Sequence, residues 1–503
     1  MHPALRNEDI LREIFSHFYV QGDKLSNRRS LALSARACRS FSEHAPDTLW
    51  REPPSILPIL KISFVQVNMP DGQQQYFLQG LVPQDELTRF CTYTRRVRYL
   101  NYVALHHENI APSVFPLLSQ LAGGSPLFPS LRLINWEQPD SFETALSAFL
   151  SPSLQALSVA ISYTKQIGVE GPAIEILICN FVIQAPSLEL LTIQNIRTSA
   201  LLRQNLVHFK RLRSLTITAP LTAPQVTDAL TQLENLNDLT ITLEGSEVEP
   251  SDTPHASFHC LQQLYIHRGT ASGILHILQA AGSSIRLDTV SVECFPLTTE
   301  SSSVFRKALQ CISSTPSLHT ICFQGTSSTR FPADTCFVDI FHPLLNNHFL
   351  KRVTLTFFYL SDPAFKFTDN DLTEMARAWP RLVDFEIFPG ITDVIPSISI
   401  ASLYELAYHC PELERISILH PFTPITTETL MTVPTLTHQL RRLEIEDLWD
   451  GTLADRLRCA YFVDRIFPNL FELFSDTDWE GPKLSELILK FQSIRRAQMA
   501  VNP

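Results

Sequence analysis

The 503-residue sequence contains only 15 glycines, and it has neither a low-complexity tract nor a long apolar run. It contains no G-x-G-x-x-G, G-x-x-x-x-G-K, G-x-S-x-G or H-E-x-x-H motif, so the usual signatures of nucleotide, hydrolase and zinc sites are missing. No apolar stretch approaches the ~20 residues that a membrane helix needs, and the N-terminus lacks the basic-then-apolar order of a signal peptide. These absences predict a protein that is neither an enzyme nor embedded in a membrane.

Charge and cysteine are also spread thinly along the chain. The net charge of -11 is not gathered into a tail and argues against a general affinity for nucleic acid or an anionic membrane. The ten cysteines stand singly, without a C-x-x-C pair, so we predict reduced thiols, no metal and no cofactor. The absence of an N-x-S/T sequon agrees with a cytoplasmic or nuclear location.

A six-residue pattern, Leu-x-x-apolar-x-apolar, recurs along most of the chain at a mean step of ~28 residues. Segments with helical periodicity lie between the copies, for example at residues 226–233 and 274–281. Degenerate copies begin at Val97 and Leu470. The clear copies begin at Leu131, Leu154, Leu188, Leu212, Leu236, Leu261, Leu287, Leu318, Leu350, Leu382, Leu413 and Leu440. Strands and helices are therefore predicted to alternate.

A proline stands two residues before the first leucine-type position in seven copies. Proline has no N–H and a fixed φ, so it ends a helix and favours an extended segment after it. The seven are Pro129, Pro152, Pro186, Pro316, Pro380, Pro411 and Pro468. Because they share one phase of the repeat, they support the division into copies.

From about Val97 to Leu473, this pattern resembles leucine-rich-repeat proteins with helices on the convex side. The resemblance implies an α/β solenoid whose parallel strands line a concave face, because strands stack ~4.8 Å apart whereas helices are ~10 Å across. The Asn or Cys that follows the strand in the family has no regular counterpart here. Backbone groups in the turns must therefore be satisfied in another way.

In each copy, the second, fourth and sixth residues after the first leucine are expected to point into the concave face. Mixed charge and exposed apolar groups suit a protein partner. The candidate substrate-binding residues are Tyr265, His267, Glu293, Arg352, Asp384, Glu386, Phe388, Arg415, Arg442 and Glu444. Any one of them is also explained as a solvated strand residue, so the hypothesis concerns the face as a whole.

The N-terminus reads as three short helices. Asn7 is a plausible N-cap, and an apolar stripe that includes Ile10, Ile14 and Phe18 follows it. A second helix is predicted from about Ser30. A domain of this size buries too little apolar surface to be stable alone, so it needs a partner or the repeats to pack against.

These residues resemble an F-box: Leu5 with Asp9-Ile10-Leu11 and Ile14-Phe15, the run from Leu31 to Phe41, and Leu49-Trp50-Arg51-Glu52. Leu5-Arg6 stands where the family has Leu-Pro. The resemblance implies binding to a Skp-type adaptor and, through it, to a cullin ubiquitin ligase. The implied contact or core residues are Leu5, Ile10, Leu11, Ile14, Phe15, Leu31, Leu33 and Trp50. The alternative is that the stripe only packs on the first repeat.

The sequence thus predicts four segments: an F-box-like helical module (1–52), a junction (53–96), the solenoid (97–475) and a C-terminal cap helix with its tail (476–503). The run from Leu81 to Phe90 resembles the entry to the repeats in expanded fungal F-box families. We predict a non-catalytic substrate receptor of a Skp–cullin–F-box ligase that binds an unknown protein substrate. The rival hypotheses are a protein-binding scaffold unconnected to ubiquitin and an enzyme with dispersed catalytic residues.

Overall fold

The fold is taken from a computed structural model of the full chain. The structure describes residues 7–20, 24–60, 65–68, 74–78, 82–103, 110–111, 113–138, 145–161, 172–194, 204–243, 257–327, 336–359, 366–389, 398–445, 448, 451–474 and 483–501. The chain divides into two compact units, Met1–Ala219 and Pro220–Pro503, and each is considered by itself.

The first unit opens with a three-helix module formed by α1 (Glu8–Val20), α2 (Lys24–Ala37) and α3 (Arg39–Leu49). The Asn7 side chain caps α1, because its Oδ1 accepts hydrogen bonds from the N–H groups of Asp9 (2.9 Å) and Ile10 (3.3 Å). The predicted N-cap is therefore confirmed. Helix α2 begins about a turn and a half earlier than predicted. Asn27 donates to the Phe18 carbonyl and Arg28 to the Glu52 carbonyl, and these tertiary contacts stabilise the first turns.

A packed junction follows the module. Its elements are α4 (Leu57–Leu60), the antiparallel pair β1 (Val65–Asn68) and β2 (Gln74–Phe77), and α5 (Gln84–Thr94). Ile59, Leu60, Leu87 and Phe90 are buried, and the Phe90 ring contacts that of Phe128 at 6.5 Å between centroids. The described parts of the junction thus bury apolar residues, and Phe90 packs against the repeat region.

Strands β3 to β16 are ordered in the sheet as they are in the sequence, and their described pairings within each unit are parallel. Each strand begins about two residues after the first leucine of its copy. They are β3 (Tyr99–Val103), β4 (Leu133–Gln138), β5 (Ala156–Ile161), β6 (Leu190–Gln194), β7 (Ser214–Leu221), β8 (Asp238–Leu243), β9 (Gln263–His267), β10 (Thr289–Pro296), β11 (Thr320–Ser327), β12 (Arg352–Tyr359), β13 (Asp384–Phe388), β14 (Arg415–Ile418), β15 (Arg442–Ile445) and β16 (Glu472–Phe474). The predicted α/β repeat architecture is confirmed, and these strands form a leucine-rich-repeat region.

Helical segments connect the strands. They are α6 (Val114–Leu121), η1 (Ala145–Phe149), α7 (Pro172–Gln184), α8 (Ala223–Leu230), α9 (Ala271–Ala281), α10 (Thr299–Ser313), α11 (Phe337–Phe341), η2 (His342–Asn346), α12 (Asp369–Ala378), η3 (Ile400–Ser402), α13 (Leu403–His409), α14 (Thr427–Thr432), α15 (Leu453–Ile466) and α16 (Leu484–Val501). The leucines of the repeat pattern are buried in the core between the strands and the helical segments. Leu264 and Ile266 of β9 are fully buried, whereas Gln263 on the same strand is exposed. This alternation separates a core side from an open side.

In the copies that contain the proline, it lies in the turn that precedes the strand. Leu131 N–H donates to the Phe128 carbonyl at 3.1 Å, and Pro129 is the second residue of that turn, where a fixed φ is favourable. Val97 N–H makes the same bond to the Thr94 carbonyl, although this copy lacks the proline. The degenerate copy at Val97 is therefore a structural repeat.

Backbone bonds join the turns of neighbouring copies. In most of the described copies, the carbonyl of the residue after the first leucine accepts two N–H groups of the next copy. The Asp288 carbonyl, for instance, accepts from His319 N–H at 2.9 Å and from Thr320 N–H at 3.0 Å. This repeated two-donor bond joins neighbouring copies at the start of the strand, whereas the family's Asn or Cys follows the strand.

Side chains in the turn before the strand add to these bonds in the second unit. Asn347 Nδ2 donates to the Thr315 carbonyl at 3.2 Å, and His438 Nε2 lies 2.9 Å from the Cys410 carbonyl. His438 Nδ1 accepts Leu440 N–H, so Nε2 carries the proton, and burial lowers the pKa of this imidazole. The amide and the imidazole therefore supply a turn-to-turn bond that the sequence did not indicate at this position.

Helix α16 caps the end of the repeats in the second unit. Leu484 and Ile488 are buried, and Gln492 Nε2 donates to the Phe467 carbonyl at 3.0 Å. Arg495 forms an ion pair with Asp464 at 2.9 Å, and Arg496 donates to the Leu470 carbonyl. These bonds satisfy carbonyl groups that a following repeat would otherwise cover.

Candidate functional site

The three-helix module keeps apolar side chains on its surface although its own core is complete. Leu11, Phe15 and Leu31 are at most 3% exposed and form that core with Ala45. Ile10 and Ile14 are each 40% exposed, and Leu33 is 59% exposed. Because Ile10 and Ile14 are four residues apart on α1, they lie on one side of the helix. We call Ile10, Ile14 and Leu33 the apolar surface of the module.

The remaining N-terminal candidates have other positions. Trp50 is half-buried, and its ring packs against Tyr93 at 5.0 Å between centroids. Leu5 lies outside the described residues. Of the predicted adaptor-binding set, the structure therefore places Leu11, Phe15 and Leu31 in the core, Trp50 at the junction, and Ile10, Ile14 and Leu33 on the surface.

The module is tied to the first repeat through its last residues. The Arg51 carbonyl accepts Arg98 N–H at 2.8 Å and Tyr99 N–H at 3.0 Å, as the corresponding carbonyl does between repeats. Arg96 Nε lies 2.7 Å from an Asp47 carboxylate oxygen, and the Arg51 guanidinium lies over the Tyr99 ring. Trp50 and Arg51 thus occupy the first two positions of a repeat turn.

On the open side of the second unit, charged residues occupy matching positions on β12 to β15. Arg352, Asp384, Arg415 and Arg442 are consecutive partners in the parallel register. Two guanidinium nitrogens of Arg415 donate to the two Asp384 carboxylate oxygens, and Arg352 Nε lies 3.7 Å from the same carboxylate. Asp384 is therefore shared between two arginines.

The next register position contains Thr354, Glu386, Ser417 and Glu444. Thr354 Oγ1 donates to Glu386 Oε2 at 3.4 Å, and Arg442 lies 3.3 Å from the Glu444 carboxylate. Burial raises the pKa of the Glu386 carboxyl, and the charges of Glu444 and Asp384 raise it further.

These two rows border an open cavity of about 370 Å³. Six of the predicted substrate-binding residues line it: Arg352, Asp384, Glu386, Arg415, Arg442 and Glu444. We call it the Glu386 pocket. Cys322, which also lines it, is not among the residues predicted from the sequence. The copy that begins at Leu318 supplied the signal, since Cys322 is the fourth residue after that leucine.

The other predicted face residues lie elsewhere on the strands. His267 Nδ1 is 3.0 Å from a Glu293 carboxylate oxygen, and the two residues are register partners on β9 and β10. Tyr265 donates its hydroxyl to Gln263 Oε1 at 3.4 Å, and Phe388 is half-buried at the end of β13. None of these four predicted residues lines the Glu386 pocket.

Two features are absent from the described part of the chain. Its helices include none with the length and apolar composition needed to cross a bilayer. Its histidines, cysteines and carboxylates include no group of three or more that could hold a metal ion.

Comparisons with known proteins give similarity at the level of shape. The sequence matches no family model and no curated protein. Among solved structures, the chain is similar to the Leptospira interrogans LRR protein LIC12759, with a TM-score of 0.40 and 13% identity over 79% of this chain and 83% of that one. It is also similar to a TDR receptor, with a TM-score of 0.36 and 14% identity over 76% of this chain. The match spans 61% of that receptor chain.

Proposed function

We propose that this chain is the substrate receptor of a Skp–cullin–F-box ubiquitin ligase. In this proposal the N-terminal helices bind a Skp-type adaptor and the open strand face binds a protein substrate. The chain itself contributes no reacting group, and it accelerates ubiquitin transfer by holding the substrate near a ubiquitin-charged enzyme. The resemblance to expanded fungal F-box families and a cytoplasmic or nuclear location belong to the same proposal.

The exposure of Ile10 and Ile14 carries the proposal. Both are as apolar as the residues beneath them, yet the module has already buried Leu11 and Phe15 without their help. Apolar side chains that remain on the surface of so small a domain favour an interface with another protein. The F-box-like sequence of these helices names the kind of partner.

The backbone hydrogen bond from Arg98 N–H to the Arg51 carbonyl gives a second, mechanical reason for the receptor proposal. A receptor must hold its substrate at a fixed distance from the adaptor, so the adaptor-binding helices need a firm connection to the repeats. Within the first unit, the Arg51 carbonyl connects the module to the first repeat, and the Arg96–Asp47 ion pair and the Trp50–Tyr93 contact connect it to the junction. A mobile linker would average the distance and reduce the benefit of proximity.

A second candidate is a protein-binding scaffold without a connection to ubiquitin. The same junction favours it, because Trp50 and Arg51 complete the first repeat as an N-terminal cap would. In that case the helices shield the end of the solenoid and bind no adaptor. The exposed isoleucines are then ordinary surface residues.

Co-purification with a recombinant Skp-type adaptor separates the two candidates. We expect the wild-type chain to retain the adaptor and the double variant Ile10→Asp/Ile14→Asp to lose it. Ile285→Asp is the matched control, because Ile285 is a 77% exposed isoleucine in the second unit. Phe15 is unsuitable as a test position, since a charge there disrupts the core of the module.

Retention of the adaptor by wild type and by Ile285→Asp, with loss in the double variant, supports the receptor. Failure of the wild-type chain to retain the adaptor would leave the scaffold as the better account. Equal retention by all three proteins would show that the adaptor binds somewhere other than α1.

A further inference from the structure

The charges around the Glu386 pocket are unevenly paired. Asp384 accepts two hydrogen bonds from Arg415 and has Arg352 nearby as well. Arg442 divides its charge between Glu444 at 3.3 Å and Glu472 at 3.6 Å. Each of these three arginines therefore already has a carboxylate partner.

Glu386 differs from the other carboxylates of this row. Its hydrogen bond comes from the neutral hydroxyl of Thr354, and no lysine, arginine or histidine in the described part of the chain forms an ion pair with it. The residue is half-buried, and this burial, with the charges of Glu444 and Asp384, raises the pKa of its carboxyl against the opposing effects of the Thr354 hydrogen bond and the Arg442 charge. A partly desolvated carboxylate beside two others gains most from an added cation.

The lining contains three arginines and three carboxylates, and its most exposed arginine, Arg352, does not call for a ligand in the same way. Arg352 shares Asp384 with Arg415, but the Arg352 side chain is 63% exposed. Water therefore solvates its guanidinium at little cost, and an added anion would gain only what an exposed ion pair gains. An anion entering the pocket would also approach Glu386 and Glu444. Charge complementarity thus favours a cation.

The size and lining of the pocket restrict the kind of cation. About 370 Å³ of open space accommodates one long side chain rather than a folded domain. The neighbours of Glu386 in the register, Thr354 and Ser417, offer hydroxyl acceptors, and Leu419 at the margin offers an apolar contact for an aliphatic stem. A divalent metal is disfavoured, because the described chain holds no group of ligands suited to one.

We propose that the Glu386 pocket receives a lysine or arginine side chain of the protein substrate, with the cationic group paired to Glu386. The inference rests on the proposed function, in which the strand face binds that substrate. It names the residue type that a recognition segment of the substrate must contain.

Selection of random peptides displayed on phage against the full-length chain tests this assignment. We expect the enriched sequences to share one lysine or arginine. A synthetic peptide of the consensus should bind about tenfold or more weakly to Glu386→Gln, as expected for loss of a charged hydrogen-bond partner. Changing the basic residue of the peptide to glutamine should cause a similar loss with wild type and little further loss with Glu386→Gln.

Asp288→Asn is the matched control. Asp288 is another half-buried acid of the second unit, but it pairs with His319 and lies outside both the pocket lining and the candidate substrate-binding set. It should change the dissociation constant less than twofold, and thermal unfolding should show that both variants fold. No enrichment, enrichment without a basic residue, or an unchanged dissociation constant in Glu386→Gln would overturn the assignment.

Adaptor retention, measured on the same proteins, keeps the two proposals apart. If Glu386→Gln retains the adaptor as wild type does and basic peptides fail to bind either protein, only the pocket assignment is overturned. If basic peptides bind as expected and the wild-type chain retains no adaptor, the pocket assignment stands and the ubiquitin-ligase role is lost.

Discussion

The backbone carbonyl of Arg51 accepts the N–H of Arg98 at 2.8 Å, which makes the last residues of the helical module the first step of the repeat ladder. The same bond recurs one repeat later, where the Arg98 carbonyl accepts Arg132 N–H at 2.8 Å. Module and repeats therefore continue one hydrogen-bond pattern within the first unit.

Trp50→Ala should weaken the attachment of the module. The half-buried indole loses its contact with Tyr93, and we expect a loss of about 2 kcal/mol in the free energy of unfolding, below the range for fully buried aromatic residues. Urea unfolding followed by circular dichroism measures it. Asp47→Asn removes only the partly exposed ion pair to Arg96 and should cost less than about 1 kcal/mol. Equal losses in the two variants would contradict this account.

Gly282→Ala should destabilise the second unit by about 1–3 kcal/mol, since an added Cβ would lie 2.2 Å from the Cys311 backbone carbonyl oxygen. Helices α9 and α10 would have to separate to make room. The control is Gly124→Asn, because Gly124 has φ +75°, a region that asparagine tolerates, and no atom within 4 Å of the added Cβ. Differential scanning calorimetry should show a lower melting temperature for Gly282→Ala alone.

Asn347→Ala should cost about 1–3 kcal/mol, because it leaves the Thr315 carbonyl and the Phe349 N–H without their buried partner. The adjacent Asn346 is exposed and donates only to a carbonyl within its own 3₁₀ turn, so Asn346→Ala should change stability by less than about 0.5 kcal/mol. The two urea midpoints test the turn-to-turn bond. If Asn346→Ala proved the more harmful change, Asn347 would not have that role.

His420 should make stability depend on pH. It is 3% exposed, and burial lowers its pKa from 6.5 to about 4. Between these values the unfolded chain binds more protons, so the stabilisation is complete above pH 6.5 and falls as the pH drops towards 4. At one pH unit per 1.36 kcal/mol, the full loss amounts to about 3 kcal/mol.

His420→Leu removes this titration and should flatten the fall in urea midpoint between pH 7.5 and pH 5. Part of the slope will remain, because burial also lowers the pKa of His438. If the urea midpoints of wild type and variant fell equally between pH 7.5 and pH 5, the imidazole of His420 in the folded protein would be protonated already or accessible to water.

The sequence was sufficient to predict the phase of the repeats, because leucine and proline act locally. Pro129 sets a turn and Leu131 enters the core whatever its distant neighbours are. Asn7 was predictable as a cap for the same reason. By contrast, the apolar stripe on α1 was too wide to separate buried Phe15 from exposed Ile14, since that distinction depends on how α2 and α3 pack against it.

The pairing on the strand face could not be predicted either. Asp384 and Arg415 are 31 residues apart, and only the parallel register brings them together. The sequence placed both residues on the face but did not show that they form an ion pair, whereas Glu386 forms none with the described residues. The turn-to-turn bond of Asn347 could not be predicted from the family pattern, because the family's asparagine follows the strand whereas Asn347 precedes strand β12.

Amide hydrogen exchange of the full-length chain, with and without a saturating Skp-type adaptor, tests the central claim most directly. The account predicts slower exchange in peptides that cover α1 and α2 and unchanged exchange in β12 to β15, where the substrate is expected. Unchanged exchange in α1 and α2, or protection confined to the strands, would contradict the claim that the N-terminal helices are the adaptor-binding surface.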